Sequence, residues 1–345
     1  MRRHAGTLVL VAIAAAAAIV PLPPDRIEQL YSRGVYPAVQ HKLTLLTNLV
    51  PIALLDVAIA LLVLALVWVS AVRVRRVGWR GAAGRTLVTL IRVSAVVYLA
   101  FLALWGLNYR RVPLERKLDY DRVRMTRESV LAFANRAAQS VNAGYQAAHA
   151  SRVSLAELQY DFWDAESKLG SGGLTELGVP KRSLLTLYFK RAAIDGMTDP
   201  IFLEIIINPD VLDIERPMVV AHEWGHLAGY ANESEANFIA WLTCVRGEVP
   251  AQYSAWLSAY EHAMRALPRA DRSAVTPLES GPREDLRAMA ARYARSSPIV
   301  RKAAESVYDE YLRANRVPEG IGSYDAVLRL MIGTRFDRDW NPAMR

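Results

Sequence analysis

The chain has 345 residues, of which 52% are hydrophobic and 22% charged, and its formal net charge is +8. It is more apolar than a typical soluble enzyme, and its long apolar runs lie before about residue 108. The basic residues match no nucleic-acid-binding pattern, so we expect no nucleic-acid partner. The single cysteine, Cys244, excludes an internal disulfide framework and a cysteine-rich zinc site. The composition therefore predicts a membrane part followed by a soluble part.

Three apolar stretches predict membrane-spanning helices, at about residues 7–23, 51–72 and 87–107. The second and third reach the length of about 20 residues that a helix needs to cross the hydrocarbon core. The first is shorter and follows two arginines, as in a signal peptide, but it ends in Pro-Leu-Pro-Pro and has no small-x-small cleavage site. We expect it to remain as an uncleaved span, so that residues 1–107 form a membrane domain.

The distribution of arginines predicts the orientation of these spans. Arg2 and Arg3 precede the first span. Five more lie between the second and third spans without an acidic residue: Arg73, Arg75, Arg76, Arg80 and Arg85. Such segments stay in the cytoplasm. The sequence thus predicts a multi-pass protein of the cytoplasmic membrane, with the lipid bilayer as a partner and residues 108–345 on the extracytoplasmic side. Asp56, near the outer end of span two, is expected to pair with Arg110 or Arg111.

The soluble part has mainly helical periodicity. Thr126 is a candidate N-cap, and Ser154 with Glu157 forms a capping-box pattern that opens another helix. Further helices are predicted over residues 251–267, 284–294 and 300–314. The β-branched run at residues 201–208 is better suited to a strand. The predicted fold class is therefore a mainly α membrane protein, with three N-terminal spans and a mostly helical zincin-like domain that contains a small β-sheet.

The segment Ala221-His222-Glu223-Trp224-Gly225-His226 contains an HExxH pattern. Residues four apart share a helix face, so His222 and His226 can bind one metal ion while Glu223 lies beside it. Pro217 suits the first turn of such a helix and Gly229 its end. The pattern predicts a zinc site in which Glu223 acts as general base. The alternative is a helix with two surface histidines.

A catalytic zinc ion usually takes three protein ligands. Glu233 and Glu235 are the candidates for the third. If a helix starts near Asn232, Glu233, Ala236 and Asn237 share one face, whereas Glu235 points about 200° away from Glu233. We predict Glu233 as the ligand and Asn237 as an outer partner that orients a histidine, with Glu235 as the alternative ligand. An asparagine amide is a poor zinc ligand beside a carboxylate, which disfavours Asn232.

The order of HExxH, a short turn and E-x-x-A-N resembles a compact form of the gluzincin metallopeptidases, whose third ligand is the glutamate of that second motif. The chain also resembles the uncharacterised bacterial membrane family called domain of unknown function 3810. The similar segments are residues 31–37, residues 105–110, His222 to His226, Glu235 to Phe238, and Ser323-Tyr324. This resemblance covers nearly the whole chain and implies a membrane-anchored, peptidase-like fold.

The residues and the resemblance together predict a membrane-anchored zinc metallopeptidase that hydrolyses a peptide or protein substrate. Tyr230 and Tyr324 are candidate donors to the oxyanion, and the strand at residues 204–208 is a candidate edge for pairing with an extended peptide. Two other readings stay open. One is a membrane-anchored binding or scaffold protein with a zincin fold and no hydrolysis, and the other is a zinc amidase that acts on cell-envelope material. The sequence leaves the oligomeric state undetermined.

Overall fold

A computed structural model describes residues 2–171, 175–317 and 326–345 of the chain. Their fold is mainly helical with a small two-stranded sheet, as predicted. The α-helices are α1 (Arg2–Ile19), α2 (Pro24–Ile27), α3 (Tyr36–Asn48), α4 (Leu54–Leu104), α5 (Arg127–Ala150), α6 (Leu155–Lys168), α7 (Thr186–Ala192), α8 (Arg216–Leu227), α9 (Glu233–Arg246), α10 (Val249–Ala266), α11 (Ser280–Ala294), α12 (Pro298–Ala314) and α13 (Val327–Gly333). The strands are β1 (Gly196–Asp199) and β2 (Glu204–Ile207).

Helix α4 contains the second and third apolar stretches and the arginine-rich segment between them. Gly78, at φ 69° and ψ 168°, interrupts its helical backbone. Ser70 Oγ lies 3.4 Å from Thr86 Oγ1, although 16 residues of straight helix would separate them by about 24 Å. The chain therefore folds back at Gly78 into a hairpin of two helices. The arginine-rich segment forms the closed end of this hairpin and is helical apart from Gly78.

Within the described residues, α4 is the one helical element that passes the length and apolarity test for crossing a membrane without being combined with another, and its most apolar part is not buried by the rest of the chain. Residues Ala5–Ile19 and Pro24–Asn48 pass the same test only as a pair bent by 111°. Helix α1 packs along α4, where Arg92 Nε donates to Thr7 Oγ1 at 2.7 Å. The presence of three membrane spans stays a prediction.

Residues 24–48 are helical and pack on the part of the chain after residue 108. A π-helical segment, Glu28–Val35, joins α2 to α3. Gln40 Nε2 donates to the Glu176 carbonyl at 2.7 Å, and Thr44 Oγ1 donates to the Leu203 carbonyl at 2.8 Å. The segment between the first two apolar stretches is thus a helical support for the soluble part.

The start of α4 is also bound to the soluble part. Asp56, in its first turn, accepts hydrogen bonds from Ser183 Oγ at 2.6 Å and from the Leu184 amide at 2.7 Å. The expected pairing with Arg110 or Arg111 was wrong, because Arg110 donates to the Ala17 carbonyl and Arg111 binds Glu28. The start of the hairpin is therefore hydrogen-bonded to the part of the chain after residue 108.

The two strands form an antiparallel hairpin in which Gly196 pairs with Ile207 and Asp199 with Glu204. Strand β2 lies inside the predicted strand at residues 201–208, whereas β1 was not predicted. On its other side, β2 pairs with Lys181, whose amide donates to the Ile205 carbonyl at 3.0 Å. Both edges of β2 are therefore occupied, which leaves β1 as the outer strand.

The predicted helix signals agree with the structure. Thr126 caps α5 by accepting from the Ser129 amide, and Ser154 and Glu157 form the capping box that opens α6. Helices α8 and α9 lie in the middle of the soluble part, with α6, α10 and α13 packed around α9. Nearly every residue of α9 is buried, Cys244 included. The polar groups in its first turn are thereby held away from bulk water.

Candidate metal centre

Helix α8 carries the HExxH residues and has defined ends. Pro217 occupies its first turn, where a missing N–H costs nothing. At its end, Gly229 has a φ of 81°, and the Tyr230 amide donates to the Gly225 carbonyl at 3.0 Å. Another side chain at Gly229 would be strained by this positive φ, and its Cβ would also lie only 3.1 Å from Asn108 Oδ1. The sharp turn after α8 leads directly into α9.

Helix α9 starts where the capping residue predicts. Asn232 Oδ1 accepts from the Ser234 amide at 3.0 Å and so serves as the N-cap. The Asn232 side chain is therefore occupied in capping α9. Gly225 of α8 packs against Ala236 and Ile239 so closely that a Cβ at Gly225 would lie 2.8 Å from the Ile239 side chain. This close approach brings the first turn of α9 to the histidine face of α8.

Glu233 lies between the two histidines of α8. Its Oε2 is 3.2 Å from His222 Nε2, and its Oε1 is 3.6 Å from His226 Nε2. Each of the three residues offers a ligand atom, and these atoms lie within 4.8 Å of one another. The shorter of the two distances is close to the separation of about 3.3 Å expected between two ligand atoms of a tetrahedral site when each lies 2.0–2.1 Å from zinc. Glu233 Oε2 is buried and, within the described residues, is approached by His222 Nε2 and makes no other hydrogen bond.

The outer nitrogen of each histidine is occupied. His226 Nδ1 lies 2.8 Å from the Tyr230 carbonyl oxygen, which only accepts, so this nitrogen carries the proton. His222 Nδ1 lies 3.0 Å from Asn237 Oδ1. In the neutral imidazoles, both Nε2 lone pairs therefore point towards the Glu233 carboxylate. Such an arrangement requires a cation or a proton between the groups.

The pKa values of the cluster reflect this confinement. Burial alone would lower the pKa of His226, but the charge of Glu233 and contacts with Glu223 and Tyr230 raise it to about 9. Burial would raise the pKa of Glu233, but the two histidines hold it well below its usual range. Among the three, His222 is the most accessible, with 15% of its side chain exposed. Solvent therefore reaches the cluster from the His222 side.

Glu223 is held beside the cluster by strand β1. The Thr198 hydroxyl lies 2.8 Å from Glu223 Oε2 and 2.9 Å from the Glu223 carbonyl. A Cβ on Gly196 would lie 2.6 Å from Glu223 Oε1, so this glycine leaves the space that the carboxylate fills. Burial raises the pKa of Glu223, although both histidines and Thr198 act in the opposite direction. Sequence reasoning missed both β1 residues because nothing in their local pattern indicates a strand.

Glu235 points away from the histidines. Its Oε1 accepts from the Leu114 amide at 2.6 Å. Its surroundings include Arg111 and Lys117, which both bind Glu28. The structure thus brings Glu233 to the histidines and places Glu235 in a separate buried cluster, which we call the arginine cluster: Glu28, Arg111, Lys117 and Glu235.

Three side chains from the region next to the apolar helices bind the end of α8. Trp105 Nε1 donates to the His226 carbonyl at 2.8 Å, the Tyr36 hydroxyl to the Leu227 carbonyl at 2.7 Å, and Arg111 to the Gly229 carbonyl at 3.0 Å. The last carbonyls of a helix lack partners inside the helix. These donors satisfy them and connect the histidine helix to the end of α4.

Tyr308, on α12, donates a hydrogen bond to Glu233 Oε1. Sequence reasoning missed this residue because it is 75 positions from Glu233 and belongs to no motif. The sequence contains one weak indication of a shared role for this helix face, because Tyr308 and Tyr311 lie three apart on a predicted helix. Of the expected oxyanion donors, Tyr230 instead packs its ring under Arg111, 4.9 Å from the guanidinium carbon, and Tyr324 with Ser323 lies outside the described residues.

The free strand edge near the cluster belongs to β1. The Asn208 amide donates to the Asp195 carbonyl at 2.8 Å. Because paired residues alternate along an antiparallel ladder, Gly196 and Thr198 direct their main-chain groups away from β2. Within the described residues, no strand pairs with this edge. The prediction of a peptide-binding edge at residues 204–208 was wrong.

Comparisons with known proteins place the chain in a family. The model of the family described as protein of unknown function (DUF3810) matches residues 31–332. The chain belongs to this family. The match spans α3 through most of α13 and therefore includes the histidine helix, α9 and the hairpin of α4. No curated protein and no solved structure matches the chain.

Proposed function

We propose that this protein is a membrane-anchored, zinc-dependent metallopeptidase that hydrolyses peptide bonds. One observation carries the proposal: two imidazole nitrogens and a buried carboxylate oxygen converge within 4.8 Å of one another, while the Nδ1 atom of each imidazole is occupied by an oxygen acceptor. A buried carboxylate that faces two imidazole nitrogens requires a proton or a metal cation between the groups, and two imidazoles with one carboxylate are a donor set that suits a metal cation. Glu223 lies beside this cluster, where a purely structural metal site would have no need of it.

The donor set fits zinc. Two imidazoles and one carboxylate are the ligands of a well-known class of catalytic zinc sites, and they leave a fourth position open. His222, His226 and Glu233 would hold the ion. The Asn237 and Tyr230 oxygens on the outer nitrogens would keep both rings oriented, as outer partners of zinc histidines do. A bound zinc ion polarises a carbonyl group and makes water more acidic.

Glu223 serves as the general base in this proposal. Burial raises its pKa, which brings its proton affinity closer to that required near neutral pH. The carboxylate accepts a proton from the attacking water and passes it to the leaving amine. Thr198 fixes its orientation through the hydrogen bond to Oε2. Gly196 leaves room for the other oxygen.

Substrate binding and oxyanion stabilisation are assigned to two other features. The free edge of β1 offers main-chain donors and acceptors at Gly196 and Thr198 to an extended peptide, next to Glu223. The Tyr308 hydroxyl, which reaches the Glu233 carboxylate, is positioned to donate to the developing oxyanion. Both features come from parts of the chain distant from the HExxH motif.

We further propose that α1 and the two arms of α4 cross the membrane. The arginine-rich turn around Gly78 lies at one end of the hairpin and the soluble part at the other. By the positive-inside rule, the turn and the N-terminus lie in the cytoplasm and the metal centre lies outside. The lipid bilayer and a peptide or protein substrate are the proposed partners.

Comparison of Glu223→Gln with wild type tests the activity. An amide cannot take up the proton, so we expect hydrolysis of a broad peptide library to fall by at least about 100-fold while zinc content and thermal stability are kept. Glu128→Gln, a substitution of an exposed glutamate on α5, is the control and should retain full hydrolysis.

Equal activity of wild type and Glu223→Gln would contradict the peptidase proposal. A scaffold role would give zinc binding without hydrolysis in either protein. A cell-envelope amidase would give a Glu223-dependent hydrolysis of envelope material and none of the peptides.

A further inference from the structure

Helix α12 presents an apolar row to the surroundings. Ile299, Ala303 and Val307 are spaced four apart and share one face, and Ile299 is 83% and Val307 72% exposed. A neighbouring face of the same helix carries Tyr308, which reaches the metal centre, and the buried Leu312. The helix therefore separates the metal centre from whatever covers the exposed row.

The row on α12 leads to the ends of the apolar helices. Its next member is Tyr311, whose ring packs edge-on against Phe101 in the last turn of α4, with centroids 6.1 Å apart. Just beyond α12, Arg316 donates to the carbonyls of Ala18 and Val20 at the end of α1. The exposed row is thus continuous with the surface of the proposed spans.

A second apolar surface lies beside α7. Leu184, Leu187 and Tyr188 are all exposed, and Leu184 is 84% exposed. The Leu184 amide is hydrogen-bonded to Asp56, in the first turn of α4. Helices α7 and α12 also pack on each other, with the Ser297 amide donating to the Arg191 carbonyl at 2.8 Å. Both surfaces therefore start at the outer end of the hairpin.

The metal centre is close to the same end. Trp105 directly follows α4, and its indole lies 6.0 Å from the His226 ring, centroid to centroid. An extended polypeptide advances about 3.3 Å per residue. A chain that leaves the bilayer beside α4 would therefore reach the metal centre after a few residues.

We propose that the exposed surfaces of α7 and α12 rest on the outer face of the bilayer, and that the substrate is the membrane-proximal segment of a membrane-anchored polypeptide. Exposed apolar residues on a helix that adjoins membrane-spanning helices suit contact with a lipid interface. Their continuity with α1 and α4 identifies the lipid surface as the occupant. The substrate class rests on the proposed peptidase function, whereas the placement on the bilayer does not.

Quenching by nitroxide lipids tests the placement. The full chain, reconstituted in vesicles, carries a bimane label at Val307→Cys or, as a control, at Val123→Cys, which is similarly exposed. Cys244 is buried and should not react. We expect headgroup-proximal nitroxides to remove most of the fluorescence at position 307 and little at position 123. Equal quenching at both positions overturns the placement, including the case in which a second copy covers α12.

A series of anchored peptides tests the substrate class. One peptide sequence, chosen from those that the solubilised protein hydrolyses, is presented free or linked to an acyl chain through a short or a long spacer. The spacers have about 4 and about 20 residues, which reach about 13 and about 66 Å. We expect the short-spacer peptide to be hydrolysed about tenfold faster than the free peptide, and at least as fast as the long-spacer peptide. Val307→Asn should reduce this advantage, and Val123→Asn should not.

Hydrolysis of the long-spacer or free peptide without hydrolysis of the short-spacer peptide overturns the proposed substrate class and leaves the peptidase function intact. If no library peptide is hydrolysed above the level of Glu223→Gln, the peptidase function fails and the substrate class fails with it. Quenching at position 307 still decides the placement in that case.

Discussion

Two glutamates of one helical turn have opposite roles in this molecule. Glu233 and Glu235 both lie in the first turn of α9, and they are 1% and 7% exposed. Glu233 faces two histidines and accepts a hydrogen bond from Tyr308, whereas Glu235 accepts from the Leu114 amide and belongs to the arginine cluster. Burial and residue type are the same, so the neighbouring groups determine which carboxylate is available to a metal ion.

The arginine cluster shows how a fully compensated group of buried charges is built. Arg111 makes two hydrogen bonds of 3.0 Å to Glu28, and Lys117 adds a third at 2.5 Å. Arg111 also binds the Gly229 carbonyl, so the cluster supports the turn between α8 and α9. At the histidine cluster, Glu233 instead faces two imidazoles, which carry a positive charge only when they are protonated. We interpret the arginine cluster as the structural support and the histidine cluster as the functional site.

Removal of the Glu233 carboxylate, compared with removal of the Glu235 carboxylate, is expected to have the largest effect. Glu233→Ala removes a direct ligand and should weaken zinc binding by more than the factor of about 10–100 that loss of an outer partner costs. Glu235→Ala should leave zinc binding unchanged and lower the free energy of unfolding by about 1–3 kcal/mol, because the Leu114 amide loses its acceptor. Zinc titration and thermal unfolding measure both. Zinc loss in Glu235→Ala alone would reverse the two assignments.

Acid should destabilise the protein through the arginine cluster. Although burial acts to raise it, the pKa of Glu28 is lowered to about 2 by Arg111 and Lys117, from an ordinary value of 4.5. Because folding lowers this pKa, the contribution of ionised Glu28 to the free energy of unfolding is complete above pH 4.5 and is lost as the pH falls towards 2. The whole contribution is about 3 kcal/mol. Unfolding of wild type and Glu28→Gln between pH 6 and pH 3 measures the effect, which should be smaller in the variant. Identical pH profiles would contradict it.

The outer partner of His222 should have a smaller effect. Asn237→Ala removes the acceptor on Nδ1, so zinc binding should weaken by about 10–100-fold. Asn237→Asp keeps an acceptor at that position and should retain most of the affinity. Zinc titration of both variants distinguishes orientation of the ring from simple packing. Equal losses in the two variants would argue that the side chain serves only to pack α9 against α8.

Much of the helical fold follows from local signals in the sequence. Thr126, Ser154 and Asn232 cap the helices that they precede, because a side-chain acceptor at that position satisfies amides that the helix leaves free. The HExxH spacing likewise places His222 and His226 together on α8, because residues four apart share a face. The local pattern also favoured Glu233 over Glu235 by helical direction alone.

The remaining features depend on contacts between distant segments. Gly196 and Thr198 adjoin Glu223 only because β1 pairs with β2 and lies against α8, and Tyr308 reaches Glu233 from 75 residues away. The helices at residues 24–48 were not predicted from the sequence. Their fold depends on packing against the soluble part, which periodicity in one segment does not reveal.

X-ray absorption at the zinc edge tests the central claim most directly. The full-length protein, purified with zinc and freed of excess metal, should hold about one zinc ion per chain, with two imidazole nitrogens and a carboxylate oxygen at about 2.0–2.2 Å. The same measurement on Glu235→Ala should give the same spectrum, and Glu233→Ala should lose the carboxylate ligand or the metal. A zinc content far below one per chain in wild type, or a zinc spectrum that does not change in Glu233→Ala, would contradict the assignment of His222, His226 and Glu233 as a metal site.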